Sequence, residues 1–397
     1  MTHILLISRC PPYPLHFGDR LIIWHLAREL SERGYTLDLL ALTQHDTDTT
    51  EIHYYQQFFR DIALFPEKAR SPIMYLRRLF GSHYPQDASS AWQPNLWQTI
   101  QTKISQNKYD IVHLFGGVHV YEFAHLLKNI PTVITPYESY SLYLKRELQQ
   151  KKQLGLWLNR QITRQFERWM YSPYDSTVVL SDEDKQELLG INPQLNLSVI
   201  PNGIDLEDFQ LQDREREEAT LLFVGNFDYP PNHDAALLII QEIFPKVKAH
   251  IPSVNLQLVG NAPSAEMVAL ASESIEVTGR VPSVQDYLAS ATIFVCPLRV
   301  GAGIKNKVLE ALAMGIPLIA TPLSMEGISA TDGKQVLVAD IDDMSNKIIS
   351  LLENPSLQKT LSEHSRPLIE AHYTWQSVAT QYETLYRAII EKQVTAR

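Results

Sequence analysis

The stretch TIFVCPLRVGAGIKNKVLEALAMGIPLIAT, residues 292–321, holds an apolar run, a glycine-bearing loop, a helical pattern and a second apolar run. TIFVCPL and PLIAT are continuous in hydrophobicity, not alternating, which marks strands buried on both faces. Between them Ile304, Val308, Ala311 and Leu312 share one face at helical spacing. Strand, crossover helix and strand make one unit of a parallel sheet. At Gly301-Ala302-Gly303 no Ser, Thr, Asp or Asn precedes the helical pattern, so its first N–H groups lack a side-chain acceptor. A phosphate can take that place, with Lys305 and Lys307 adding charge beside it; the alternative is a plain glycine turn. Glu310 falls three residues after Lys307 on the same face. It either accepts hydroxyl hydrogens from a ribose or forms a surface pair with Lys307.

The same pattern extends outward. HILLIS, TLDLLAL, IVHLF, TVITPY and STVVLS read as strands in the first half; TLLFVGN, NLQLVG, IEVTGRV, TIFVCPL, PLIAT and QVLVAD do so in the second. Helical patterns at 18–33, 233–250 and 342–353 supply crossovers. The expected fold is α/β, with two successive doubly wound, Rossmann-like parallel-sheet units facing a cleft. VIPNGIDLEDF, 199–209, breaks at Pro201-Asn202-Gly203 and runs into the charged stretch QDREREEAT. The expected domains are therefore 1–198 and 199–372, followed by a C-terminal helix, 373–397, that can pack on either domain.

The chain of 397 residues carries a net charge of −10. Residues 1–195 hold 20 basic and 20 acidic side chains, and residues 196–397 hold 15 and 25. That deficit speaks against nucleic acid as a partner of the second half. Yet Arg280, Arg299, Lys305 and Lys307 fall within 28 residues there, a grouping that either meets an anion or forms a solvated patch. Cys10 and Cys296 show no metal or disulfide spacing, which fits a reducing, cytoplasmic setting. MTHILLISRC reads as a first strand, not a signal peptide.

Ligands of open α/β sheets lie beyond the carboxyl ends of the strands. In the second half Gly225-Asn226 follows one strand and GRV, with Arg280 and Val281, follows another. In the first half Gly18-Asp19-Arg20 sits at the first strand-to-helix turn, where Gly18 allows close approach of a ligand and Asp19 either serves that ligand or caps the helix. His113, His119 and Glu138 stand at strand ends, where such groups can act on a hydroxyl as acid or base or serve only structure. The lack of GxGxxG argues against a nicotinamide dehydrogenase.

VIPNGID, FVGNF, VTGRV, GAGIKNKVLEALAMGIPLIAT and the terminal YTWQSVATQYETLY together resemble the GT-B glycosyltransferases of family 4, in order along nearly the whole chain. PPYP…GDR near the start and GAGIKNKVLEA are similar to a bacterial subgroup. The resemblance implies a retaining transferase that takes a nucleotide-sugar donor, a UDP- or GDP-sugar, mainly on the second domain. The saccharide or lipid-linked acceptor falls mainly to the first domain, and no metal or other cofactor is required. It implies ribose binding by Glu310, base contact by Arg280 and Val281, and donor contact along Gly301, Gly303 and Ile304. Three positions depart from the family. Ala302 stands where a first glutamate is usual. GNFDYPPNHD lacks the basic pair that grips the diphosphate, leaving that to Lys305 and Lys307. His113-Leu114-Phe115 replaces an H-x-H pair, so His113 or His119 takes that histidine's role or none does. Polysaccharide or glycolipid synthesis at the inner face of a membrane is the expected setting. A GT-B epimerase or phosphorylase, and a binding or scaffold protein without turnover, are the alternatives.

Residues 139–171 carry Lys145, Arg146, Lys151, Lys152, Arg160, Arg164 and Arg168 with Trp157 and Trp169 among them. The segment reads either as a peripheral membrane contact or as a domain helix with a solvated basic face.

Overall fold

The computed structural model describes residues 2–15, 18–212, 217 and 219–396. The chain divides into two units, Met1–Pro201 with Val378–Arg397, and Asn202–Ser377.

The first unit is built on β1 (His3–Ser8), β2 (Thr36–Thr43), β3 (Asp61–Pro66), β4 (Ile111–Phe115), β5 (Thr132–Tyr137), β6 (Ser176–Val179) and β7 (Leu197–Val199). They lie in the order β3-β2-β1-β4-β5-β6-β7, every neighbour parallel. Ile4 to Ile7 and Leu39 to Leu42 are fully buried, as strands covered by helices on both faces must be. The order reverses between β1 and β4, so their carboxyl ends open a switch point. The Trp375–Ala396 helix belongs here from Val378 on, with Tyr382 and Tyr386 buried.

The second unit carries β8 (Thr220–Val224), β9 (Asn255–Val259), β10 (Ile275–Gly279), β11 (Ile293–Cys296), β12 (Leu318–Ala320) and β13 (Leu337–Val338). Their order is β10-β9-β8-β11-β12-β13, again all parallel, with the switch point between β8 and β11. All six had been read as strands, most of them as continuous apolar runs.

The boundaries differ from those read in sequence. A cut between 198 and 199 would split β7, which pairs with β6; the division falls after Pro201. At the other end it falls after Ser377, inside the last helix and not at 373. Within the charged stretch 212–220, residues 213–216 and 218 lie outside the described residues.

Candidate functional site

In the second unit the carboxyl ends of β8 and β11 bring the donor candidates together. Gly225 follows β8 directly, and its N–H donates to the Val259 carbonyl at 3.0 Å. The loop after β11 is braced from β12: the Thr321 hydroxyl donates to the Leu298 carbonyl at 2.8 Å, and the Ser324 hydroxyl to the Cys296 carbonyl at 2.7 Å. Gly301 and Gly303 take φ of 133° and 66°, conformations that side chains rarely adopt.

The helix begins later than the glycine loop suggested. It spans Asn306–Ala313, and Lys305 is its cap residue, without a side-chain cap bond. The N–H groups of Asn306 and Lys307 therefore precede the helical ladder. A neighbouring helix, Pro230–Leu238, starts on two prolines and has no N–H to offer there. Lys305 does not project from the first turn. Its buried ammonium folds back onto the carbonyls of Gly303 and Ala302 and lies 3.8 Å from Glu326.

Lys307 reaches across to the Asn232 side chain, and its ammonium sits 4.6 Å from the centre of the Phe223 ring. Asn232 in turn donates to the Asn226 carbonyl at 2.8 Å. A Cβ on Gly225 would stand 3.1 Å from the Lys307 ammonium, so glycine there lets Lys307 cross the loop. Because Lys307 is turned to Asn232, no hydrogen bond or ion pair holds the Glu310 carboxylate among the described residues. Both groups are half-buried. Burial pushes Glu310 up to about 7, against the pull of the Lys307 charge, and pushes Lys307 down to about 8. Of the other cations, Arg299 is gripped by Asp234 at 2.6 and 3.0 Å. Arg280 is exposed beside Val281 at the end of β10, with β9 between it and β8.

Three partners escaped the sequence. Asn232 follows two prolines and meets Lys307 across 75 positions of chain. Asp234 holds Arg299. Asn202 donates to the Asn306 side chain at 2.8 Å and braces the helix start, whereas PNG had signalled only a break.

In the first unit the candidates separate. His113 lies within β4, fully buried, with Nδ1 2.6 Å from the Tyr386 hydroxyl and Nε2 2.8 Å from Thr135 Oγ1. Both ring nitrogens are spent inside the core, which corrects its reading as a strand-end acid or base. His119 is the histidine at the carboxyl edge, on the turn Gly117–His119. Its Nδ1 lies 2.8 Å from Glu67, the residue after β3. Arg70 bonds Glu67 at 3.2 Å and packs over the Trp92 ring. Burial lowers His119, and Glu67 opposes that. Burial would raise Glu67, but His119, Gln44 and Arg70 outweigh it and hold the carboxyl at about 2.

Gly18 opens the Gly18–Glu32 helix. Asp19 lies in its first turn, not before it, and binds the Arg9 guanidinium at 2.8 and 2.7 Å. Glu138 is half-buried directly after β5, where Tyr137 takes a left-handed φ of 76°. Among the described residues no group of three or more His, Cys, Asp or Glu could hold a metal ion.

Residues 21–208 match the family model described as Glycosyltransferase Family 4, and residues 218–354 match that of Glycosyl transferases group 1. A phosphatidyl-myo-inositol mannosyltransferase of Mycolicibacterium smegmatis is 29% identical over 212 residues, 49% of this chain and 54% of the relative, so the match spans about half its length. An uncharacterized 44.6 kDa protein in the cps region of Klebsiella pneumoniae is 22% identical over 94% of this chain and 97% of the relative. In fold, sucrose-phosphate synthase from Thermosynechococcus elongatus superposes with a TM-score of 0.73 at 18% identity, covering 99% of this chain and all of that one. HepE from Anabaena, solved in complex with UDP, gives 0.71 at 12% identity, covering 98% of this chain and 100% of that one. The chain is GT-B in fold, and its two halves match, in chain order, the family 4 and group 1 glycosyltransferases.

Proposed function

We propose that the protein is a retaining glycosyltransferase that moves a sugar from a UDP- or GDP-sugar to an acceptor hydroxyl, without a required metal. The observation that carries this reading is the half-buried Glu310 carboxylate. It has no hydrogen-bond partner among the described residues and stands one turn from Lys307, on the helix that follows the Gly301–Gly303 loop. A ribose diol satisfies such a carboxylate. Lys307 and the free N–H groups of Asn306 and Lys307 face the diphosphate and stabilise its charge as the sugar departs. Lys305 shapes the loop through its carbonyls, and Gly225, Asn226, Ile304, Arg280 and Val281 complete the donor side. On the first unit His119 and Glu138 stand at the carboxyl edge and serve the acceptor side, while Gly18, at the first strand-to-helix turn, meets the donor. A saccharide or lipid-linked acceptor, in bacterial polysaccharide or glycolipid synthesis at the cytoplasmic face, agrees with the mannosyltransferase and cps-region relatives.

The test is thermal melting with UDP, GDP, ADP, CMP and dTDP, on the wild type, Glu310→Ala and Lys307→Ala. A diphosphate at about 100 times its dissociation constant adds about 2.7 kcal/mol, a few degrees in melting temperature. One diphosphate should stabilise the wild type and neither variant, and its sugars then become donors for a transfer assay. If none stabilises it, the donor site falls and a scaffold without turnover takes its place.

A further inference from the structure

We propose that an apolar face of the first unit, made by the Pro72–Phe80 and Leu154–Met170 helices, docks on a bilayer that contains anionic lipid. Twelve large apolar side chains are exposed among the described residues, and seven belong to these two helices. On the first, Ile73, Leu76 and Phe80 are 68%, 52% and 86% exposed. On the second, Leu154, Trp157, Leu158 and Ile162 are 73%, 49%, 48% and 46% exposed. The two sets meet. Phe80 and Ile162 line one open cavity of about 930 Å³, with Trp169 in its wall. Leu158 and Leu154 extend the Ile162 row by steps of four, and Leu76 and Ile73 extend the Phe80 face by four and seven. A patch of this kind on a water-soluble surface marks an interaction site.

Charge selects the occupant. The Pro72–Phe80 helix has no acidic residue, and the only one in Leu154–Met170, Glu167, is 1% exposed. Arg77, Lys151, Lys152 and Arg168 are exposed on or beside the two helices, on a chain whose net charge is −10. Three other basic side chains of the segment are engaged elsewhere. Lys145, Arg160 and Arg164 converge on Glu187 at 3.1, 3.0 and 3.2 Å. That cluster pins the helix with its apolar row outward, so the membrane-facing feature is not the basic face suggested by sequence. A two-fold contact with a second copy would set these cations against themselves. Lipid phosphates pair with the cations while acyl chains cover the apolar side chains and Trp157 sits at the boundary. No helix among the described residues is long and apolar enough to cross a membrane, so both helices lie in the plane of the interface.

The inference stands on the first unit's surface and not on the donor site. Its test is co-sedimentation of the full chain with phosphatidylcholine vesicles, with and without phosphatidylglycerol. The wild type should bind the anionic vesicles, bind pure phosphatidylcholine weakly, and release in about 0.5 M salt, where charges are screened within a few ångströms. The Phe80→Ser/Trp157→Ser variant should lose at least about tenfold in binding, each buried apolar side chain counting for that much. Its melting response to nucleoside diphosphates should be unchanged. Absence of wild-type binding to anionic vesicles overturns the proposal, as does equal binding by that variant. A wild-type dimer that the same variant dissolves would assign the face to a second copy and also overturn it. Should the double serine variant not fold, Lys151→Glu/Lys152→Glu decides alone, since both positions are exposed between helices; undiminished binding by it overturns the proposal.

Discussion

His113 Nδ1 lies 2.6 Å from the Tyr386 hydroxyl and ties β4 to the last helix across 273 positions of chain. Both residues are buried, and Thr135 takes the other ring nitrogen. Tyr386→Phe leaves that nitrogen without a partner, and unfolding in urea should show a loss of about 1–3 kcal/mol, with diphosphate binding unchanged. Burial holds the His113 ring well below its ordinary value. The unfolded chain therefore binds a proton that the folded one refuses. The stability of neutral His113 is present above about pH 6.5 and is lost as pH falls through the folded value. His113→Gln should flatten that acid limb relative to the wild type, by up to about 1.4 kcal/mol per pH unit.

Gly260 and Gly225 nearly touch. A Cβ on Gly260 would meet the Gly225 carbonyl at 1.8 Å, and Gly260 takes φ of 145°. Gly260→Ala should cost about 3 kcal/mol or more, since backbone must yield on both sides. Gly333 also has positive φ, 72°, but open space around its Cβ position. Gly333→Ala should cost only about 1 kcal/mol. Melting curves of the two variants separate collision from conformational strain, and only the first should also weaken nucleoside diphosphate binding.

Glu67 fixes which nitrogen of His119 faces outward. With Nδ1 turned to Glu67, the other nitrogen is the one available to a hydroxyl. Glu67 is the carboxylate that opposes the effect of burial on His119. Glu67→Gln should therefore lower the His119 pKa further, read by NMR titration of the ring. If His119 serves the acceptor, turnover should fall by about tenfold or more and the acid limb of the pH–rate profile should move to lower pH. A solely structural Glu67 would leave that limb where it is.

The centre of the second sheet was legible because β8, β11 and β12 are buried on both faces and read as unbroken apolar runs. β3 and β7, the outer strands of the first sheet, escaped because little apolar surface marks them. DIALFP is exposed at both ends and only half-buried between, and LSV is three half-buried residues. Losing β3 also hid Glu67, the residue at its carboxyl end. Lys307 and Glu310 were visible because their helix is local and amphipathic. Asn232 and Asp234 were not, since what singles them out is contact across 75 and 65 positions of chain. The Pro72–Phe80 helix carried an outward apolar face that pattern reading takes for core.

Lys307 and Glu310 give the donor site a pH window. Diphosphate binding draws on the Lys307 charge, which burial weakens to a pKa of about 8, so affinity should fall as pH rises through 8. Ribose binding draws on an ionised Glu310, held up at about 7, so affinity should also fall as pH drops through 7. Calorimetric titration of the stabilising nucleoside diphosphate should trace a bell between these limbs. Glu310→Gln should remove the acid limb, because its amide oxygen accepts a hydrogen bond at any pH, with about a tenfold loss at the optimum. Lys307→Met should remove the alkaline limb and cost about tenfold to a hundredfold, the worth of one partly buried charge on a phosphate. A flat profile in the wild type would mean that neither side chain meets the nucleotide, since both titrate within the range scanned.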